Sequence, residues 1–187
     1  MHVLYKWRNL QMNEKIWLKK AHLYGRLCYM IEEDLEETMQ LQELVIERMS
    51  NKRWLAYSSR KDFENALNNG FALVCVVEGK IIAFLQCVLN DTDYSKDRYD
   101  SEEMRSQCAD YTDVFVHPDY WGNGLQNIMG EKMEVLCKQA GKSILLGTVD
   151  PDNKYSCENF RKMGYKEVDR LIKYGGLKRL LMEKKLV

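Results

Sequence analysis

From Tyr111 to Val149 the chain reads strand, glycine turn, helix, strand, and its two prolines, Pro118 and Pro151, each stand just past the end of one of those strands. This pattern constrains the fold most. A strand–helix–strand unit in one sheet implies a right-handed crossover and a parallel strand pair. Proline has no N–H to give a ladder, so the strings V-H-P-D (116–119) and V-D-P-D (149–152) should stop pairing at the same end of both strands. Two neighbouring strands that part leave a gap, and its free backbone N–H and C=O groups suit an extended polar ligand.

The flanking sequence supplies the rest of a mixed sheet. Leu27 to Ile31 reads as a strand, and Leu35, Met39, Leu41, Val45, Ile46 and Met49 recur at helical spacing behind the acidic run Glu32, Glu33 and Asp34. Acidic residues at a helix N-terminus complement its dipole, so that run reads as structural. Ser59 to Asn69 predicts a second helix, and Phe71 to Val77 with Lys80 to Leu89 predict an antiparallel hairpin about Glu78-Gly79. Asn90 to Cys108 reads as a solvated acidic loop. Leu125 to Ala140 should form the crossover helix, Lys154 to Met163 another, and Tyr165 to Tyr174 should pair with Leu177 to Lys184. The expectation is one α/β (α+β) domain over residues 26–187, preceded by a 1–25 extension in which the bases Lys6, Arg8, Lys15, Lys19 and Lys20 with Trp7, Ile16, Trp17 and Leu18 suggest a short amphipathic helix.

Composition narrows the function classes. Lys plus Arg and Asp plus Glu both total 28, so the overall field attracts neither nucleic acid nor an anionic membrane. The six cysteines show no CxxC spacing, which points to reduced thiols and to no metal site. Neither a leader-like apolar run nor a membrane-length one occurs, and the expected location is the cytoplasm.

The chemistry gathers after the first proline. Trp121-Gly122-Asn123-Gly124-Leu125-Gln126 opens the crossover helix with glycines. Without Cβ atoms, the backbone approaches a pyrophosphate closely, and the free amides and dipole of a helix N-terminus stabilise its charge. GxGxxG fails at Asn127, and there is no GxxxxGK[ST].

The whole string, V-H-P-D-Y-W-G-N-G-L followed by helix, strand and V-D-P-D-N-K-Y-S, resembles the GNAT family of N-acetyltransferases across roughly residues 26 to 187. The resemblance implies a mixed, mostly antiparallel sheet flanked by helices, with a central parallel pair that splays to hold coenzyme A. The family's loop signature is Arg or Gln, two free positions, Gly, one free position, then Gly or Ala. Trp121 and Gln126 depart from it, whereas Gly124 matches and the frequent extra glycine is present as Gly122. Because backbone amides bind the pyrophosphate, these departures weaken the match and leave the mechanism standing. The resemblance further implies that Val114, Phe115 and Val116 offer backbone groups to the pantetheine arm, and that Asn153 helps hold it, with Ser156 and Tyr155 as weaker candidates.

Acyl transfer from a thioester to an amine needs a neutral amine, stabilisation of the developing oxyanion and a protonated leaving thiol. On the family pattern Asp110 stands where many members carry a glutamate base, with Asp113 as the alternative; either also reads as an ordinary polar residue at a strand start. The family's acid, a tyrosine seven residues after the asparagine, is here Phe160. Water or Tyr155 would then protonate the thiolate, whose parent thiol has a pKa of about 8.5. The sequence thus points to an acetyl-CoA-dependent N-acetyltransferase acting on a small-molecule or peptide amine. The alternative is a non-catalytic acyl-CoA-binding module, motivated by Phe160 and Trp121. The last strands, with Tyr174 and Leu177, would suit a homodimer contact, as they often do in the family.

Overall fold

A computed structural model describes residues 12–89 and 92–186. Its eight strands form one sheet in the order β1-β2-β3-β4-β5-β6-β8-β7. They are β1 (Asn13–Leu18), β2 (Leu23–Tyr29), β3 (Gly70–Val77), β4 (Lys80–Val88), β5 (Cys108–Val116), β6 (Ile144–Val149), β7 (Lys166–Lys173) and β8 (Leu177–Lys185). All neighbours run antiparallel except β5 and β6, the parallel pair joined by the crossover helix. The helices are α1 (Leu35–Arg48), α2 (Arg60–Asn69), α3 (Asp93–Arg98), α4 (Glu102–Ser106), α5 (Leu125–Gln139) and α6 (Lys154–Lys162).

Alternation along the strands divides the core in two. On one face α5 and α6 bury Met129, Met133, Leu136, Cys157 and Phe160 against Leu73, Leu85, Tyr111, Leu145 and Leu180. On the other, α1 and α2 bury Leu41, Val45 and Phe63 against Val74, Phe84 and Phe115. On that second face, Tyr94 of α3 joins a smaller cluster with Cys108, Ile144, Leu146 and Leu181. The sheet is therefore covered on both sides, as a parallel pair requires.

Two sequence expectations are corrected here. The amphipathic helix expected within residues 1–25 is absent from residues 12–25, where β1 and β2 make a hairpin. Ile16 and Leu18 are buried while Trp17 between them is exposed, a period of two. Lys6, Trp7 and Arg8 lie outside the described residues. The solvated loop expected over 90–108 holds the two short helices α3 and α4, with Tyr94 and Ser95 buried; Asn90 and Asp91 lie outside the described residues. Its charges are partly neutralised, since Asp97 meets Lys173 and Arg98 meets Glu183.

β5 and β6 pair only from Cys108↔Ile144 to Tyr111↔Gly147. Beyond Gly147, Thr148 and Val149 pair with β8 alone, while Asp113 to Val116 pair with β4 alone. Thr112 is an extra residue in β5, because Tyr111 opposes Cys87 whereas Asp113 opposes Gln86. Such a bulge bends its strand and increases local twist. The parting thus begins at the bulge, and the prolines beyond it keep the ends apart.

Gly147 is glycine for a packing reason. A Cβ there would sit 2.8 Å from the Phe160 ring, which is fully enclosed by Gly147, Tyr111 and Tyr165. Gly147→Ala should force the ring out of its place and destabilise the fold by about 1–3 kcal/mol. Equilibrium urea unfolding measures this, and a midpoint equal to that of the unaltered protein would refute the packing argument.

Candidate active site

The glycine loop is built on left-handed backbone. Gly122 has φ 86° and Gly124 has φ 73°, conformations that residues with a Cβ seldom adopt. Gly124 is the N-cap of α5, and its carbonyl accepts from the amides of Asn127 and Ile128. The amides of Gly122, Asn123, Gly124, Leu125 and Gln126 donate to no acceptor among the described residues. Nothing lies within 4 Å of the position a Gly124 Cβ would take. This is an open, amide-lined entry to a 15-residue helix, and its donors and dipole suit a phosphate group.

The second element is the gap. The amide of His117 donates to Ile82 on β4 at 2.8 Å. In an antiparallel ladder the backbone direction alternates, so Phe115 also turns its N–H and C=O to β4, whereas Val114 and Val116 turn theirs to the gap. The Phe115 side chain lies in the core against Phe63 and Phe84. Of the three β5 residues expected to serve the pantetheine arm, Val114 and Val116 turn their backbone groups to the gap and Phe115 turns its own to β4. The Val116 carbonyl already accepts from the Trp121 indole at 2.7 Å. Trp121, in the signature's first position, therefore ties the loop to the strand.

The carboxylates occupy one face. The bulge at Thr112 shifts the alternation, so Asp110 and Asp113, three residues apart, both point to the side of α1–α3. Asp110 is 2% exposed, its Oδ2 accepts from the Tyr94 amide at 2.8 Å, and its Oδ1 has no partner among the described residues. Asp113 lies past the last β5–β6 pair, and its Oδ2 accepts from the Ser58 hydroxyl at 2.9 Å and from Gln86 Nε2 at 2.5 Å. Burial pushes the Asp110 carboxyl up to about 7 and the Asp113 carboxyl up to about 6. Ser58 and Gln86 had no signal in the sequence, since their role depends on the bulge and on the chain between α1 and α2.

Across the gap, Thr148 follows the last paired residue of β6. Its hydroxyl is 3.3 Å from that of Tyr94 and 3.2 Å from that of Tyr174, and the two phenols are hydrogen-bonded to each other. Tyr174 comes from the β7–β8 turn, held at φ 52°. Burial raises both phenol pKa values. Asn153 caps α6, its Oδ1 accepting from the Ser156 amide at 3.1 Å, so these two expected residues meet each other as a helix cap. Tyr155 is 76% exposed on α6. Buried Asp150 pairs with Arg179 at 3.0 Å, and Arg179 reaches the Arg53 carbonyl, fixing the β6–α6 connection to β8. Among the described residues, no group of three or more His, Cys, Asp or Glu is placed to hold a metal ion, and no helix is long and apolar enough to cross a membrane.

Comparison with known proteins gives the class this arrangement belongs to. The profile of the acetyltransferase (GNAT) family matches residues 28–165. The fold is that of the GNAT domain of S. lividans PAT, with TM-score 0.70, 16% identity, and 94% of this chain and 97% of that one covered. A Salmonella typhimurium acetyltransferase, yncA, solved with its cofactor acetyl-CoA, superposes with TM-score 0.66 at 15% identity, over 87% of this chain and 94% of that one. An uncharacterised N-acetyltransferase of Methanocaldococcus jannaschii is 28% identical over 99 residues, which is 53% of this chain. The chain spans 40% of the length of that curated relative. The protein belongs to the GNAT acetyltransferase family.

The raised carboxyl pKa values have a stability consequence. An unfolded aspartate titrates at about 3.9, so between about pH 4 and the folded values of about 6 and about 7 the folded state binds more protons than the unfolded one. These two groups therefore make stability fall as pH rises through that window, with no further loss above it. Asp110→Asn removes the larger share, so its stability relative to the unaltered protein should increase from about pH 4.5 to about pH 7.5. Urea midpoints at both pH values test this, and a constant or decreasing difference would contradict it.

Proposed function

We propose that this protein transfers an acetyl group from acetyl-CoA to a primary amine by direct attack of the amine on the thioester. The observation that carries the reading is the parting of β5 from β6 beside an amide-lined glycine loop, within a chain of the GNAT family. The residues fit the co-substrate: left-handed Gly122 and Gly124 expose amides, and Val114 and Val116 turn their backbone to the gap. When bound, acetyl-CoA supplies the acetyl group as an activated thioester.

The chain's own groups divide the remaining work. The loop from Trp121 to Gln126 holds phosphate. The backbone of Val114 and Val116 lines the channel for the pantetheine arm, and an amide there faces the thioester oxygen, where negative charge develops. Asp113 is the base. It lies in the opened part of β5, its Ser58 and Gln86 partners fix the carboxylate, and a pKa of about 6 leaves it ionised yet basic near neutrality. Asp110 is less suited, being enclosed beneath α3 where the strands still pair. Phe160 is locked in the core and has no proton to give. Water therefore protonates the leaving thiolate, or the Thr148–Tyr94–Tyr174 hydroxyl cluster relays a proton to it. The acceptor enters from the α1–α2 side, where Asp113 and Tyr174 favour a cationic amine that loses its proton on site.

Two variants test this. Gly124→Asp should abolish acetyl-CoA binding by placing a carboxylate where phosphate sits; unchanged affinity in a folded variant would rule the loop out. Asp113→Asn should lower kcat/KM about 10²-fold and erase the inflection near pH 6, below which the unaltered enzyme loses activity as its base is protonated. A variant that keeps that inflection would leave the base to Asp110.

A further inference from the structure

A lysine from outside the glycine loop stands against it. Within the loop from Trp121 to Gln126 no side chain is cationic, and the Trp121 indole is bonded to the Val116 carbonyl. The turn between β1 and β2 (residues 19–22) is seated on this same loop. Asn123, only 7% exposed, gathers two backbone amides of that turn with one oxygen, Lys20 N at 2.7 Å and Ala21 N at 3.1 Å, while its own amide group donates to the Tyr120 carbonyl at 2.9 Å. The Lys20 ammonium then donates to the Trp121 carbonyl at 3.1 Å. Its Nζ lies 3.6 Å from the position a Gly122 Cβ would take.

We infer that Lys20 is a cofactor-binding residue, its ammonium adding a positive charge to the amide-lined loop by pairing with the pyrophosphate of acetyl-CoA. Lys20 lies outside residues 28–165, the stretch that matches the family profile. Three observations converge on the role. Trp121, at the first position of the loop, carries no charge and has its indole bonded to the Val116 carbonyl. A buried asparagine side chain is committed to holding the hairpin tip against the loop, which fixes the backbone of Lys20. The ammonium has three N–H bonds and spends one on the Trp121 carbonyl, leaving two without partners among the described residues. An exposed lysine is otherwise free to leave its carbonyl for water, whereas beside an amide-lined anion site it gains a charge-assisted bond.

The inference rests on acetyl-CoA occupying the loop, so the test separates the two. Binding of CoA and of dephospho-CoA, which keeps the pyrophosphate and lacks the 3′-phosphate, is measured by calorimetry for the unaltered protein, Gly124→Asp, Lys20→Met and Lys20→Arg. If the unaltered protein and Gly124→Asp bind alike, the loop reading fails and this inference with it. With the loop reading intact, Lys20→Met should weaken both ligands about tenfold, in line with the loss of one charge-assisted bond. Lys20→Arg should recover most of that loss, and the difference between Lys20→Met and the unaltered protein should shrink in about 1 M salt. Lys20→Met within twofold of the unaltered protein would overturn the assignment. So would a loss confined to CoA, which would give Lys20 to the 3′-phosphate. A loss that Lys20→Arg does not relieve and salt does not reduce would make Lys20 a structural prop and overturn it as well.

Discussion

Everything at the site depends on one unpaired residue, Thr112. By adding a residue to β5 opposite the Gln86–Cys87 step, it bends the strand where its pairing with β6 ends. The same insertion resets the in-and-out alternation, which brings Asp110 and Asp113 to one face although their spacing would otherwise put them on opposite faces. One local irregularity thus opens the channel and supplies it with a buried carboxylate. The cost is visible in the Thr112 hydroxyl and Gln86 Oε1, both buried without partners among the described residues. Unpaired polar groups of this kind each cost about 1–3 kcal/mol, and an interior with no function to serve would have little reason to keep them.

The rest of the structure holds that opening steady. Phe84, Phe115 and Phe63 stack beneath β4 and β5 on one side, while Tyr111, Phe160 and Tyr165 do so on the other. Two aromatic clusters grip the strand above and below the bulge. The Asp150–Arg179 pair anchors the second proline turn to β8, so the two lips of the gap are fixed by different neighbours. A channel between rigid lips is preformed, which reduces the ordering cost of taking up a long flexible ligand.

Much of this was legible in the sequence, because strand periodicity, turn glycines and the two prolines are local signals. The parallel pair, its parting end and the glycine loop all follow from residues 111–153 read in order. What stayed hidden is non-local. The β1–β2 hairpin was masked by a mixture of Lys and Trp side chains that mimics an amphipathic helix; only the alternation of Ile16, Trp17 and Leu18 betrays it, and it is too short to stand alone. The helices α3 and α4 are five or six residues long and mostly polar, and they are held by Tyr94 packing on β5 and β6 rather than by their own propensity. The preference for Asp113 over Asp110 could not be read without the bulge, and no bulge is announced by D-Y-T-D. Lys20 lies 101 residues from the carbonyl it meets.

The indole of Trp121 gives the channel an unusual starting condition. With its N–H on the Val116 carbonyl, one of that oxygen's two lone pairs is in use before any ligand arrives. A carbonyl oxygen has two lone pairs, so a ligand donor that reaches this one either shares it with the indole or takes the indole's place. A ligand that also engages the loop would move the indole and the glycines together, because they belong to one short segment. The indole thus makes the strand end and the glycine loop mechanically one piece, so a shift of either is felt by the other.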